Sequence, residues 1–355
     1  MAGMSRGPGG FIGRAAKRLR GRILGIGAAL AAFNAAAWLW ALAAFHDHPV
    51  LLGTCLLAYS FGLLHAVDAD HIAAIDNVTR KLIRQKAQPL TIGLFFSLGH
   101  STVVLLASAA VGATALALKG ELSSFHAMGA AIGTLASAVF LLAIAAMNLV
   151  LLAGVYRTFR RVRGGGIYIE EDIDALLAGR GLLARLFRPL FAMIASPWQM
   201  YPLGLLFGLG FDTATEIGLL GISAAEATKG LSAWSILVFP ALFTAGMSLV
   251  DTADGILMLG AYGWSCMKPI RKLFYNLTIT AVSVVAALLV AGIEVLGLIA
   301  DKLDLAGGVW DAVGALNENF GAIGYLMLGV FGTSWLIATV IYRLKGYDEI
   351  KVRSG

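Results

Sequence analysis

The chain has 355 residues, of which 59% are hydrophobic and 14% are charged, and its formal net charge is +6. Apolar runs of about 20 residues recur along most of this length, which excludes a soluble globular domain and indicates a polytopic helical membrane protein. The two cysteines, Cys55 and Cys266, lie far apart in the sequence. This excludes a disulfide framework and a thiolate metal site.

Hydropathy read over about 20 residues predicts an all-α fold with eight transmembrane helices. Their ranges are 23–45, 50–78, 90–118, 128–156, 199–226, 231–262, 275–300 and 320–342. The first is too long for the apolar part of a signal peptide, about 7 to 15 residues, so we expect it to be retained. Residues 1–355 are expected to form one membrane-embedded domain, with a basic N-terminal segment at 1–22 and a cytoplasmic loop at 157–198.

Basic side chains are distributed unevenly between the two sides of this eight-span arrangement. The side that holds both termini receives 24 of the 27 Lys and Arg residues, and the opposite side receives only Lys119, Lys229 and Lys302. Because Lys and Arg accumulate on the cytoplasmic side, both termini are predicted to be cytoplasmic. The net positive charge is explained by this orientation in the lipid bilayer, so no nucleic-acid partner is inferred.

Four polar motifs lie inside the predicted spans. They contain nine ionisable residues: His65, Asp68, Asp70 and His71 in the second span, His100 in the third, Asp212 and Glu216 in the fifth, and Asp251 and Asp254 in the sixth. An ionisable group at mid-bilayer costs about 2.5 to 3.5 kcal/mol, so a compensating partner is required. Imidazole and carboxylate together suit a divalent first-row metal such as nickel, cobalt, zinc or manganese. We therefore predict that these residues bind one metal ion.

The four motifs are predicted to reach similar depths. Counting from the basic cytoplasmic edge at about 1.5 Å per residue places them about 14 to 21 Å into a hydrocarbon layer about 30 Å thick. On a straight helix His65, Asp68 and His71 share one face, and Asp70 lies on another. Either the helix is distorted here, or Asp70 has a second role such as orienting a ligand.

An internal repeat relates the two halves of the chain. Residues 61–72 align with 207–217, and residues 96–103 align with 243–250. The first copy begins on a span that runs inward and the second on a span that runs outward. We therefore predict an inverted repeat of spans two to four and five to seven, which in transporters places the substrate site between the halves.

These motifs resemble those of the nickel/cobalt transporter family of bacterial and fungal permeases. The family signature His-x4-Asp-His is matched by His65, Asp70 and His71, and the other three family motifs are matched at 96–104, 209–216 and 246–254. Leu64 is a departure, since the family often has Arg before the first His. The resemblance covers essentially the whole chain. It implies a multi-pass protein of the bacterial cytoplasmic (inner) membrane that imports nickel or cobalt ions for metalloenzyme assembly.

The predicted function is a secondary permease for nickel, with cobalt as an alternative ion, and not an enzyme. The chain has no Gly-x4-Gly-Lys-Ser/Thr phosphate loop, so we expect no ATPase motor and no resident cofactor. The alternative is an intramembrane metal-dependent hydrolase, in which the same His/Asp cluster activates water. A proton-coupled carrier of an organic cation would need an aromatic-lined pocket that the motifs do not indicate. The inverted repeat favours transport over hydrolysis.

Overall fold

All regular elements in the described part of the chain are helices. The computed structural model describes residues 8–84, 89–114, 119–164, 194–209, 214–265 and 269–344. The helices are α1 (Pro8–Phe45), α2 (Pro49–His65), α3 (Ala69–Arg84), α4 (Ile92–Thr114), α5 (Lys119–Arg163), α6 (Met200–Gly208), α7 (Ala214–Thr228), α8 (Ala233–Ile236), α9 (Val238–Ser265), α10 (Pro269–Lys302), α11 (Val309–Glu318) and α12 (Phe320–Leu344). Within these ranges the all-α prediction is confirmed.

Six helical segments are long and apolar enough to cross a bilayer. They are Leu19–Phe45, Ile92–Ala110, Ser137–Arg163, Ala233–Gly260, Leu277–Lys302 and Phe320–Leu344. Helices α2 and α3 pass the same test together as one bent span, which makes seven. The predicted span 199–226 is divided between α6 and α7, and over the described residues it contributes only the shorter apolar segment Gly218–Ala227. The chain is therefore a multi-pass helical membrane protein, and its described residues contain six or seven segments of this kind.

The second predicted span, 50–78, is wrong as a single helix. The axes of α2 and α3 differ by 51°. At the break the amide of Val67 donates to Leu64 O at 3.0 Å, and the amide of Asp68 donates to His65 O at 2.9 Å. These three-residue spacings tighten the last turn of α2 and end it.

Two segments that the sequence assigns to the cytoplasm are partly helical. Helix α1 begins at Pro8, inside the basic segment 1–22, and α5 continues to Arg163, inside the predicted loop 157–198. Residues 165–193 of that loop lie outside the described residues. Hydropathy underestimates the length of both helices, because it detects the apolar part of a helix and not its polar ends.

Helix α3 lies at the centre of the helix packing. All residues from 71 to 82 are buried, and Ile72, Ile75 and Leu82 belong to a core that includes side chains of α4, α5, α10 and α12. The burial extends to Arg80 and Lys81. Counting charges along the sequence treats these two residues as cytoplasmic surface charges, but the structure encloses them between helices.

Glycines permit direct backbone contact between α4 and α6. A Cβ at Gly99 would overlap the carbonyl of Tyr201, and a Cβ at Gly204 would overlap the carbonyl of Phe96. Helices α2 and α9 approach each other in the same way, since a Cβ at Gly62 would overlap the carbonyl of Phe243. Small residues are the usual means of close helix packing in membranes. These two contacts hold α4 and α2 in position for the site described below.

We predict that Gly204→Ala lowers the thermal stability of the detergent-solubilised protein. The added methyl group collides with the backbone of α4, and overpacking of this kind costs about 1 to 3 kcal/mol. Gly221→Ala in α7 is the matched control. Among the described residues, no atom beyond its own helical turn lies within 4 Å of its Cβ position, and Ala favours helix by about 1 kcal/mol. Equal thermal midpoints for the two variants, measured by loss of monodispersity on heating, would contradict the close α4–α6 contact.

Candidate metal centre

Three histidine side chains meet where α2, α3 and α4 converge. His65 is the last residue of α2, His71 lies in the first turn of α3, and His100 lies within α4. One ring nitrogen from each histidine lies within 4.8 Å of the other two. All three side chains are almost completely buried, with at most 2% exposure. The helix break at 66–68 brings His65 beside His71, so the ring centroids are 4.7 Å apart.

Glu216 in α7 completes a compact set of ligand atoms with two of these histidines. His65 Nε2 lies 3.0 Å from His100 Nε2, which lies 2.8 Å from Glu216 Oε1, and the third side of this triangle is 3.9 Å. The point equidistant from the three atoms lies about 2.0 Å from each, which is the usual distance between a first-row metal ion and nitrogen or oxygen ligands. The arrangement can therefore hold a divalent ion with little movement.

The other nitrogen of His65 is held by polar neighbours. His65 Nδ1 lies 2.8 Å from Asp68 Oδ2 and 3.2 Å from the hydroxyl oxygen of Thr215. When Nδ1 donates its proton to Asp68, Nε2 carries the lone pair that a metal ion requires. Asp68 thus contacts the distal nitrogen of His65 and is positioned to orient it.

Asp251 has the same relation to His71. Both carboxylate oxygens of Asp251 lie 3.3 Å from His71 Nδ1. His71 Nε2 and His100 Nδ1 are buried and have no hydrogen-bond partner among the described residues. A buried polar nitrogen without a partner is costly, and a bound cation would satisfy His71 Nε2.

Two phenylalanines form walls of the centre. Phe96 in α4 packs edge-on against His71 with ring centroids 4.8 Å apart, and Phe243 in α9 packs against His65 at 5.5 Å. The sequence repeat aligns these two residues with each other but gives no signal that they contact the site. Their burial limits water around the imidazoles, which strengthens electrostatic interactions there.

The remaining predicted residues are distributed differently. Asp70 is half-buried and accepts a hydrogen bond from the backbone N–H of His71 at 2.9 Å, so it caps the start of α3. Asp254 lies one turn along α9 from Asp251 and interacts electrostatically with Asp251 and Asp76. Asp212 lies outside the described residues, so its place in the site stays a prediction. The helix is distorted at the motif, which is one of the two alternatives that the sequence predicts.

The electrostatic environment favours a cation. The buried carboxyl groups of Asp68, Glu216 and Asp251 contact the three histidines directly. Carboxyl groups in direct contact with the imidazoles stabilise a positive ion and disfavour an anion at this position.

Known proteins share this sequence over nearly its full length. The family model described as high-affinity nickel-transport protein matches residues 51–341. The high-affinity nickel transport protein of Cupriavidus necator is 62% identical over 95% of this chain and 96% of its own length. The hydrogenase nickel incorporation protein HupN of Bradyrhizobium diazoefficiens is 54% identical, over 87% of this chain and 81% of its own. The cobalt transport protein NhlF of Rhodococcus rhodochrous is 41% identical, over 83% and 84%.

No solved structure matches the chain. The family match covers more than half of the sequence, and the relative from Cupriavidus necator is well above 30% identical over almost the whole chain. The resemblance found in the four motifs is therefore confirmed. This chain belongs to the family of high-affinity nickel-transport proteins.

Proposed function

We propose that this protein is a secondary permease that imports nickel ions, and cobalt ions as a second substrate, across the bacterial cytoplasmic membrane. The observation that carries the proposal is the position about 2.0 Å from His65 Nε2, His100 Nε2 and Glu216 Oε1, a distance suited to a first-row ion. The family membership and the names of the relatives support nickel, and the name of NhlF supports cobalt.

The nine ionisable residues take different parts in this proposal. His65, His71, His100 and Glu216 are the ligands, and Asp68, Asp70 and Asp251 orient the histidines. Asp212, which lies outside the described residues, is assigned to the same centre because it belongs to the same sequence motif as Glu216. Asp254 lies on the far side of Asp251 and receives the ion after it leaves the histidines.

The inverted repeat is part of the proposal, and the helix contacts support it. Helix α2 of the first half packs on α9 of the second, and the matching helix α6 packs on α4. In the same way α3 packs on α9 and α7 packs on α4. The first two helices of each half thus pack against a helix of the other half. His65, His71 and His100 come from one half, and Glu216 and Asp251 from the other, so the ion lies between them.

We assign eight spans and two cytoplasmic termini to the protein. We assign α6 and α7 together to the fifth crossing by analogy with α2 and α3, which pass as one bent span. The uneven distribution of Lys and Arg supports this orientation. A rocking movement of the halves then opens the centre to one side at a time. A divalent ion moving inward gains about 4.6 kcal/mol per 100 mV of interior-negative potential, twice the single-charge value.

The burial of the centre favours transport over the hydrolase alternative. A hydrolytic metal site needs an open coordination position that both water and a substrate can reach. His65, His71, His100, Glu216 and Asp251 each expose at most 2% of their surface. An enclosed site between two halves suits an ion that enters and leaves by conformational change.

Replacing His71 or His100 with Ala is expected to abolish saturable uptake of radioactive nickel into proteoliposomes. Each change removes an imidazole ligand, so equilibrium binding should weaken by at least about ten-fold. His46→Ala is the matched control, because His46 is exposed in the loop between α1 and α2. The His46→Ala protein should bind nickel as tightly as wild type. Normal nickel binding by folded His71→Ala and His100→Ala proteins would place the ion elsewhere.

Asp68 provides a graded test of its orienting role. Loss of a carboxylate that orients a metal-bound histidine costs about 10- to 100-fold in metal affinity. We expect this loss for Asp68→Ala and a smaller loss for Asp68→Asn, because the amide oxygen still accepts a hydrogen bond from His65 Nδ1. Titration with nickel measures both affinities. Equal losses in the two variants would indicate that Asp68 is itself a ligand.

The proposed topology predicts where reporter fusions are active. Alkaline phosphatase fused after Lys119, Lys229 or Lys302 should be active, because these residues lie on the outer side in the eight-span arrangement. A fluorescent protein fused to either terminus should fluoresce in the cytoplasm. An inactive phosphatase at Lys229, together with an active one at Lys119, would show that residues 199–226 do not cross the membrane.

A further inference from the structure

A second polar cluster lies further along α3, toward the end predicted to be cytoplasmic. It consists of Asp76, Asn77 and Arg80, whose exposed fractions are 0%, 0% and 3%. Asp76 follows His71 by five residues, or about 7.5 Å along the helix axis. The proposed transport site does not use this cluster.

Three helices hold the cluster together. Asp76 Oδ2 accepts a hydrogen bond from the hydroxyl of Ser283 in α10 at 2.7 Å and lies 3.3 Å from Arg80 Nε. Asn77 Oδ1 accepts hydrogen bonds from Arg80 Nη2 at 3.0 Å and from Asn148 Nδ2 of α5 at 2.6 Å. The guanidinium of Arg80 is thus held against a buried carboxylate.

Asp254 connects this cluster to the histidine centre. It lies one turn along α9 from Asp251, which contacts His71, and it interacts electrostatically with both Asp251 and Asp76. Asp254 is 92% buried, since its exposed fraction is 8%, and its Oδ2 has no hydrogen-bond partner among the described residues. The chain neighbours of Asp254 and Asp76 meet between α9 and α3, since a Cβ on Gly255 would lie 3.7 Å from Ile75 Cγ2. The two carboxyl groups therefore lie at the same level of the contact between these helices.

A buried ion pair such as Asp76–Arg80 is weak evidence for stability. Removing two charges from water costs several kcal/mol per ion, and apolar residues of similar size are often as stable in the same place. Asp254 adds a second buried carboxyl group, which interacts electrostatically with Asp76. Two carboxylates match the charge of a divalent cation, and carboxylate oxygens are accepted ligands for such ions.

We propose that Asp76 and Asp254 form a second divalent-cation site, which receives the metal ion from the histidine centre on its way to the cytoplasm, and that Arg80 occupies this site while it is empty. The proposal rests on the proposed transport function. The arriving ion competes with Arg80 for Asp76 and repels the guanidinium, which moves aside. When the ion leaves, Arg80 returns to Asp76 and restores a neutral pair that blocks the reverse path.

The direct test is the number of nickel ions that each purified full-length chain binds at equilibrium. Wild-type protein is expected to bind one ion, because Arg80 excludes the second. Arg80→Gln should bind two, and Arg80→Gln combined with Asp76→Asn should again bind one. If Arg80→Gln binds one ion with unchanged affinity, Arg80 does not occupy a cation site and the proposal is wrong.

Transport provides an independent readout with Asp76→Asn alone. The amide keeps the hydrogen bond from Ser283, so we expect nickel affinity at the histidine centre to change by less than about two-fold. Uptake into proteoliposomes should fall by at least about ten-fold, because one of the two ligands on the exit path is lost. Glu226→Gln is the matched control, because Glu226 is also a buried carboxyl group, with an exposed fraction of 6%, and lies 2.8 Å from Lys229 Nζ. The Glu226→Gln protein should transport nickel at the wild-type rate.

The outcomes separate the second site from the transport function itself. If wild-type protein neither binds nor transports nickel, the proposed function fails. If wild-type protein transports nickel, His71→Ala does not, and Asp76→Asn transports at the wild-type rate, only the second site fails. A purely structural ion pair predicts that Asp76→Asn and Arg80→Gln lower the thermal midpoint while stoichiometry and the uptake rate per folded chain stay unchanged.

Discussion

The short contact between the imidazoles of His65 and His71 depends on the interruption of the helix at residues 66–68. On a continuous helix the two residues would be separated by about 9 Å along the axis, whereas their ring centroids lie 4.7 Å apart. The chain bends by 51° between α2 and α3 at this interruption. Helix α12 packs against the break, where a Cβ on Gly324 would overlap the carbonyl of Val67. The interruption thus makes the centre and is stabilised by neighbouring helices.

Carboxylates reach the histidines from both of the proposed repeat halves, and in that proposal the ion is coupled to the relative position of the halves. Asp68 lies beside His65 within one half, whereas His71 contacts Asp251 and His100 contacts Glu216 across the interface. A movement of α9 away from α3 breaks the contact between His71 and Asp251, and a movement of α7 away from α4 breaks the contact between His100 and Glu216. The contact between His65 and Asp68 is kept. In the proposed mechanism the separating halves therefore remove Glu216 from the ion, which lowers affinity when the ion has to leave.

Much of the centre was predictable because ionisable residues inside apolar spans are costly and need a common partner. His65, His71 and His100 do meet, and Glu216 and Asp251 contact them. The sequence predicted the helix break only as one of two alternatives. Periodicity analysis assumes a straight helix, and the signal for a break was that Asp70 falls on a different face from His65, Asp68 and His71. The burial of Arg80 was missed, since counting charges along a sequence gives their sign and not their partner.

The difference between the two proposed sites gives a direction to the ion. The histidine centre combines nitrogen and oxygen ligands, which bind nickel and cobalt well, whereas Asp76 and Asp254 offer oxygen alone, which suits first-row ions less. Conduction requires that an ion be held strongly enough to enter and weakly enough to leave. An ion passing from imidazoles to carboxylates moves to weaker ligands, and the membrane potential offsets this loss. Because the ion is bound more weakly by Asp76 and Asp254, Arg80 can displace it from Asp76. Release is therefore favoured only after the ion has left the histidines.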